Sequence, residues 1–300
     1  MNAPAGTGHS WLPRASCDAG CVGVGDVATP RRLRVTLRIA LRLTLALLLA
    51  PGLPLLAVPL PGRTRAQRIY CRAVLRCLGV RITVTGNPIR NLRGVLVVSP
   101  HMSWLDVFAI GSVLPGSFVA RADMFTGRAT GVVARILKII PIERSSLRRL
   151  PGVVDAVARR LRAGQTVVAF PEGTTWCGVS GDDAGRDTAG KEAGQSHQGR
   201  GAFYPAMFQA AIDAGRPVQP VRLTYHHVDG SPSTVPAFVG DETLLSSIRR
   251  LLVVPRTLAR VRVESLQLPG TDRRALAHRC QSAVGGETIR RAGHGHVLVA

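Results

Sequence analysis

The chain has 300 residues, of which 46% are hydrophobic, enough to bury a sizeable core in one large domain or two small ones. Its 39 basic residues face 18 acidic ones, a formal charge of +21, which predicts attraction to polyanions: nucleic acid, an anionic membrane surface or a phosphorylated substrate. Nearly all the basic residues are Arg, with Lys138 and Lys191 the two lysines, and the 7 Phe, 3 Tyr and 3 Trp supply few platforms for stacking bases, which argues against a single-strand or RNA binder.

Residues 1–30 are rich in Gly, Ala, Pro and Ser without hydrophobic periodicity and are expected to form a disordered tail. Gly23 to Ala28 match a permissive dinucleotide fingerprint, but neither a strand before it nor a βαβ unit after it accompanies the match. The 6 cysteines (Cys17, Cys21, Cys71, Cys77, Cys177 and Cys280) show no CxxC pair and read as unpaired thiols in a reducing compartment. Cys17 and Cys21 would make half a zinc site, yet no second ligand pair follows at usable spacing, so no metal is expected.

Residues 31–62 are expected to be a membrane-binding unit. Arg34, Arg38 and Arg42 recur every fourth position, which on a helix draws one cationic stripe suited to lipid headgroups. Residues 43–61 then carry no charge and approach bilayer-spanning length, with prolines at 51, 54, 59 and 61 favouring a kinked span or a re-entrant hairpin. The arginines before them are expected to keep the flanking segment on the cytoplasmic side of the membrane.

From residue 63 to 266 helical and strand patterns alternate, predicting an α/β domain with a mixed sheet flanked by helices. Strands are predicted at 81–86, 94–100, 117–121, 165–171, 218–225 and 259–264, and helices at 64–78, 127–138, 147–163 and 203–214. Residues 177–200 read as a Gly-rich surface insertion, and 267–300 as a C-terminal tail with a possible helix at 271–284.

The chemistry gathers where strands end. The apolar strand GVLVVSP leads directly into His101-Met-Ser-Trp-Leu-Asp106. Five helical residues turn a side chain about 500°, and five strand residues put the two on opposite faces, so contact between His101 and Asp106 requires a bend into a helix N-terminus. An imidazole held by a carboxylate is a competent general base near neutral pH. A second apolar strand ends in Phe170-Pro-Glu172-Gly173-Thr174, again at a carboxyl edge, where α/β sheets place their binding sites. Arg144 follows an apolar run and offers a bidentate partner for phosphate. His226, His227, His294 and His296 have no carboxylate or Cys at ligand spacing, and no GxSxG motif is present.

Together these blocks resemble the glycerolipid acyltransferase family, as found in bacterial 1-acylglycerol-3-phosphate acyltransferases and lyso-ornithine lipid acyltransferases. The blocks are HxxxxD at His101 to Asp106, Ile-Pro-Ile-x-Arg at Ile140 to Arg144, FPEGT at Phe170 to Thr174, and an apolar strand with proline at Val218 to Val221. The resemblance implies that His101 deprotonates an acceptor hydroxyl with Asp106 behind it, that Arg144, Glu172, Gly173 and Thr174 hold the acceptor's polar head, and that Val218 to Val221 shape the acyl pocket. It also implies no bound cofactor, acyl-CoA or acyl carrier protein as co-substrate, membrane lipids as partners, and an active site on the cytoplasmic face of the inner membrane; no helix-turn-helix, zinc-finger or RNP pattern is present, so no nucleic-acid partner is expected. The chain departs from the family pattern at Thr175-Trp176, where Arg-Ser is common, and at Tyr204, where a basic residue usually follows the Phe. Those changes leave room for a lyso-ornithine lipid as acceptor instead of 1-acylglycerol-3-phosphate. A non-catalytic, basic membrane-binding protein is the alternative of another class.

Overall fold

A computed structural model describes residues 13, 15, 17, 19–22, 32–57, 62–86, 92–143, 146–178, 201–240 and 242–285. Seven strands form one sheet: β1 (Val80–Gly86), β2 (Leu96–Val98), β3 (Ser117–Arg121), β4 (Ile140–Ile142), β5 (Val167–Ala169), β6 (Val218–His226) and β7 (Thr257–Val263). Their order is β1-β7-β6-β2-β5-β3-β4. From β6 to β4 every neighbour is parallel, whereas β7 runs antiparallel to β6 and pairs in parallel with β1. The expected mixed sheet is therefore present, with its central strands β2 and β5 fully buried apolar runs, as a parallel sheet covered on both faces requires.

The helices are α1 (Arg32–Leu49), α2 (Arg63–Cys77), α3 (Leu105–Gly111), α4 (Arg128–Ile136), α5 (Leu150–Arg162), α6 (Ala206–Ala214), α7 (Leu244–Val253) and α8 (Arg273–Gly285). One core packs α5, α6 and α8 on one face of the sheet around Leu161, Phe208 and Leu276. A second packs α2, α3 and α7 on the other face around Leu75, Leu105 and Leu251. Strand alternation assigns neighbours to opposite faces: Leu96 and Val98 enter the first core and Val97 the second. Val218 and Val221 divide in the same way between the two cores, both without exposure. The strand β4 and the helix α7 were not expected from the sequence.

The N-terminal region differs most from expectation. Among the described residues, no helix is long and apolar enough to cross a membrane. Of the three stripe arginines on α1, Arg34 is exposed as expected, whereas Arg38 and Arg42 turn toward protein. Arg42 is buried, and its guanidinium donates to the carbonyls of Leu252 (2.9 Å), Val254 (2.9 Å) and Pro255 (2.6 Å), while Arg38 donates to Val253 (2.8 Å). Leu252 and Val253 end α7, Val254 is its C-cap and Pro255 follows, so the guanidinium groups meet the orphan carbonyls of a helix C-terminus, where a cation is favoured. Leu33, Leu37, Leu41, Leu47 and Leu48 point outward instead. Gly79 allows the close approach: a Cβ there would lie 1.9 Å from Arg42 Nη2.

Within the segment expected to be a disordered tail, the described residues pack on the body. Cys17 is 5% exposed, and a Cβ on Gly173 would lie 2.7 Å from Pro13 Cγ.

Candidate active site

Parallel pairing of β2 with β5 brings the two sequence motifs to one sheet edge. After Val98 the chain leaves the sheet through Ser99 and Pro100, turns at His101 to Ser103, and starts α3 at Leu105. The bend demanded by the spacing is made, with His101 Nδ1 at 2.8 Å from Asp106 Oδ2. The same Oδ2 accepts the backbone N–H of Met102 (2.8 Å) and of Ser103 (2.9 Å), while Oδ1 accepts the hydroxyl of Tyr225 (2.7 Å). Asp106 is wholly buried and lies in the first turn of α3, where a negative charge is favoured by the helix dipole. A buried carboxylate with four donors is fully satisfied.

Tyr225 comes from the end of β6, the strand on the other side of β2, and sequence reasoning missed it. Burial, the Asp106 charge and the hydrogen bond to that carboxylate push its hydroxyl well above the ordinary tyrosine value, so it stays a donor. Within a strand of alternating apolar residues a tyrosine reads as one more core aromatic, and no local signal separates the two roles.

The imidazole stacks on Phe170, the first residue of the second motif, with ring centroids 4.0 Å apart and an interplanar angle of 17°. Its side chain is 18% exposed. The main chain of His101 is held from both ends by that motif and the residues just after it: its N–H donates to Glu172 Oε2 (2.8 Å), and its carbonyl accepts the N–H of Trp176 (2.8 Å). Glu172 is 2% exposed and its Oε1 accepts the N–H of Gly201 (3.1 Å), across the insertion. Both carboxylate oxygens are thus engaged with backbone donors, a bracing geometry where a headgroup ligand was expected. Gly173 takes φ +71°, open to glycine at little cost, in a turn where its N–H meets the Phe170 carbonyl at 3.2 Å. Thr174 is half-buried beside it, and Thr175 donates its hydroxyl to the Phe238 carbonyl. Arg144 lies outside the described residues, as does most of the 177–200 insertion; β4 ends at Ile142, on the same edge as His101.

A histidine whose Nδ1 is tied to a buried carboxylate keeps its Nε2 lone pair for a proton, which is the arrangement of a general base. Comparison with known proteins agrees with an acyl-transfer chemistry. The sequence pattern of the Acyltransferase family matches residues 81–224. A 1-acyl-sn-glycerol-3-phosphate acyltransferase of Neisseria meningitidis serogroup B is 31% identical over 199 residues, 66% of this chain and 70% of that protein. The lyso-ornithine lipid O-acyltransferase of Pseudomonas aeruginosa is 31% identical over 266 residues, 84% of this chain and 93% of that one. The chain belongs to the acyltransferase family.

The crystal structure of PlsC, a 1-acyl-sn-glycerophosphate (LPA) acyltransferase from Thermotoga maritima, shares the fold of this acyltransferase with a TM-score of 0.54, at 19% identity over 84% of this chain and 94% of that one. The enzyme is thus an acyltransferase of the glycerolipid type, with an α/β architecture common to that structure.

Proposed function

We propose that this acyltransferase moves a fatty acyl group from acyl-CoA or acyl carrier protein to the hydroxyl of 1-acylglycerol-3-phosphate, giving phosphatidic acid, with His101 as general base. The observation that carries the reading is the 2.8 Å contact between His101 Nδ1 and a buried Asp106 carboxylate. The acceptor hydroxyl gives its proton to His101 Nε2 as its oxygen attacks the thioester carbon. The tetrahedral oxyanion collapses, the C–S bond breaks, and the departing thiolate takes the proton back from the imidazolium. Ester and free thiol are the products, and no enzyme nucleophile is needed because the thioester is already activated. Asp106 holds the tautomer and stabilises the imidazolium, while Tyr225, Met102 and Ser103 hold Asp106. Glu172 positions His101 through its backbone, and Arg144, Gly173 and Thr174 receive the acceptor's polar head.

The reaction takes place at the cytoplasmic face of the membrane. In support, the outward leucines of α1 form an apolar stripe fit to enter a headgroup layer without spanning it. Beside that stripe a cleft of about 790 Å³ is lined by Arg38, Arg72, Arg76, Arg81 and Arg256, at the starts of β1 and β7 and therefore on the active-site edge of the sheet. Guanidinium groups there favour lipid or donor phosphates. A lyso-ornithine lipid is the second reading for the acceptor, favoured by the longer match to the Pseudomonas aeruginosa enzyme.

The test is transfer of radiolabelled oleoyl from oleoyl-CoA or oleoyl carrier protein to a panel of lysolipids, with His101→Ala and Asp106→Asn in parallel. Label in one lipid product, falling at least about a hundredfold with His101→Ala, is the expected result and names the acceptor. Undiminished transfer by His101→Ala refutes the mechanism, and no labelled product from either donor refutes the substrate class.

A further inference from the structure

The sequence gives Cys17 and Cys21 no partner pair, but the fold carries a third thiol to them. Cys177, the residue after Trp176, lies with its Sγ at 3.1 Å from Cys17 Sγ, and the three sulfurs of Cys17, Cys21 and Cys177 all lie within 4.8 Å of one another. None of the six cysteines forms a disulfide. We propose that Cys17, Cys21 and Cys177 are the protein ligands of a soft d10 metal ion, zinc(II) in class, which staples the N-terminal segment to the loop that braces His101.

Three features support a ligand set over an incidental cluster. A tetrahedral ion with Zn–S bonds of about 2.3 Å separates its sulfurs by roughly 3.8 Å, a spacing reached here by side-chain rotations of about an ångström. The backbone N–H of Cys177 already donates to Cys17 Sγ (3.2 Å), the kind of outer hydrogen bond that stabilises a metal-bound thiolate. The surroundings are apolar, with Ala15, Met102, Ala237 and Val239 packed in the same cluster. A divalent ion held by thiolates releases protons on binding, so affinity increases with pH. A Cys17–Cys177 disulfide would leave the third converging thiol unused and require an oxidant.

Location gives the site its consequence. Cys17 and Cys177 are 160 residues apart, so the ion would close a long loop. It would sit one residue from Trp176, whose N–H holds the His101 carbonyl at 2.8 Å, and close to Pro13 on Gly173. Metal loading thereby fixes the loop that positions the base.

The experiment uses the full-length protein, purified in detergent with a reductant and stripped by a chelator, then titrated with Zn²⁺ against a chromogenic competitor. One equivalent per chain is expected, with binding weakened at least about tenfold by Cys17→Ser or Cys177→Ser and unaffected by Cys77→Ser. A measurement on the wild type guards against misfolded variants: zinc should protect Cys21, the partly exposed thiol of the three, from maleimide alkylation and leave the partly exposed Cys77 as reactive as before. The proposal is overturned by failure to bind Zn²⁺, by equal affinity in all variants, by alkylation that zinc does not alter, or by a Cys17–Cys177 disulfide in protein handled with zinc but without reductant.

Discussion

Replacing Tyr225 by Phe deletes one oxygen atom and keeps the ring that fills the core around Val261 and Leu223. The loss falls on Asp106 Oδ1, whose donor is that hydroxyl, in a side chain 1% exposed, where water has no access to substitute. A hydrogen bond to a charged group is worth about 1.5–3 kcal/mol, and folding stability should drop by that amount. If all of it also appeared in the barrier, kcat would fall by about 10- to 150-fold. The other three donors to Asp106 act on Oδ2, so the carboxylate stays in contact with His101 but can rock about that anchor. In an Asp106→Asn background the logic changes: with its carbonyl oxygen towards His101, the amide presents NH₂ to Tyr225, whose hydroxyl can rotate to accept. Only a neutral hydrogen bond, about 0.5–1.5 kcal/mol, is then lost with Tyr225→Phe, and the two substitutions should be non-additive. The assay is acyl transfer with pH profiles for the wild type, both single variants and the double, with urea unfolding of each. A Tyr225→Phe enzyme with wild-type kcat and stability, or strict additivity with Asp106→Asn, would refute the role given to this tyrosine.

Three further outcomes are expected. Arg42→Met removes the donors to the carbonyls of Leu252, Val254 and Pro255, leaving buried acceptors at the end of α7; a loss of at least about 2 kcal/mol and freer proteolysis within α1 should follow, measured by urea unfolding and limited digestion. Gly173→Ala combines φ +71° with a Cβ 2.7 Å from Pro13 Cγ, so transfer activity should fall with the Pro13 segment displaced, read by kcat and by cleavage of the N-terminal residues. Burial pushes Cys71 and Cys280 up to about 12 from an ordinary 9.0. The unfolded thiols ionise above that ordinary value and the folded ones do not, so stability is intact below it and declines as pH rises, by about 1.4 kcal/mol per pH unit for each group. Unfolding midpoints between pH 8 and 11 check this, and Cys280→Ala should flatten the slope.

Much of the domain was legible because its signals are local. The buried runs at 96–98 and 167–169 are too short and too apolar to be anything but central strands, and SFVAR at 117–121 coincides with β3 to the residue. The bend between His101 and Asp106 followed from spacing alone, since neither helix nor strand lets residues five apart meet. The strand β4 is three residues long with Pro141 at its middle, which gives little strand signal; the proline is tolerated because β4 is the last strand of the sheet. The helix α7 was missed although Thr243 caps it, its side chain accepting the N–H of Ser246 at 3.2 Å.

What periodicity could not reveal is which side of an amphipathic element faces protein. Arg38 and Arg42 recur with the spacing of a lipid-facing stripe, and that same spacing aims them at the carbonyl end of α7, more than 200 residues later in the chain. The choice belongs to the partner: unpaired carbonyls at a helix C-terminus attract a guanidinium more strongly than water-screened headgroups do, and the leucines are left outside. The same reasoning explains Glu172, Trp176 and Tyr225. Each touches the His101–Asp106 turn because β5 and β6 are the two strands beside β2, a fact of topology that no spacing within the chain encodes. HxxxxD and FPEGT are accordingly one structure written in two places: the first supplies the base and its carboxylate, and the second supplies the stacking ring and, from Glu172 and from Trp176 just after the motif, the two hydrogen bonds that hold the base's own backbone in place.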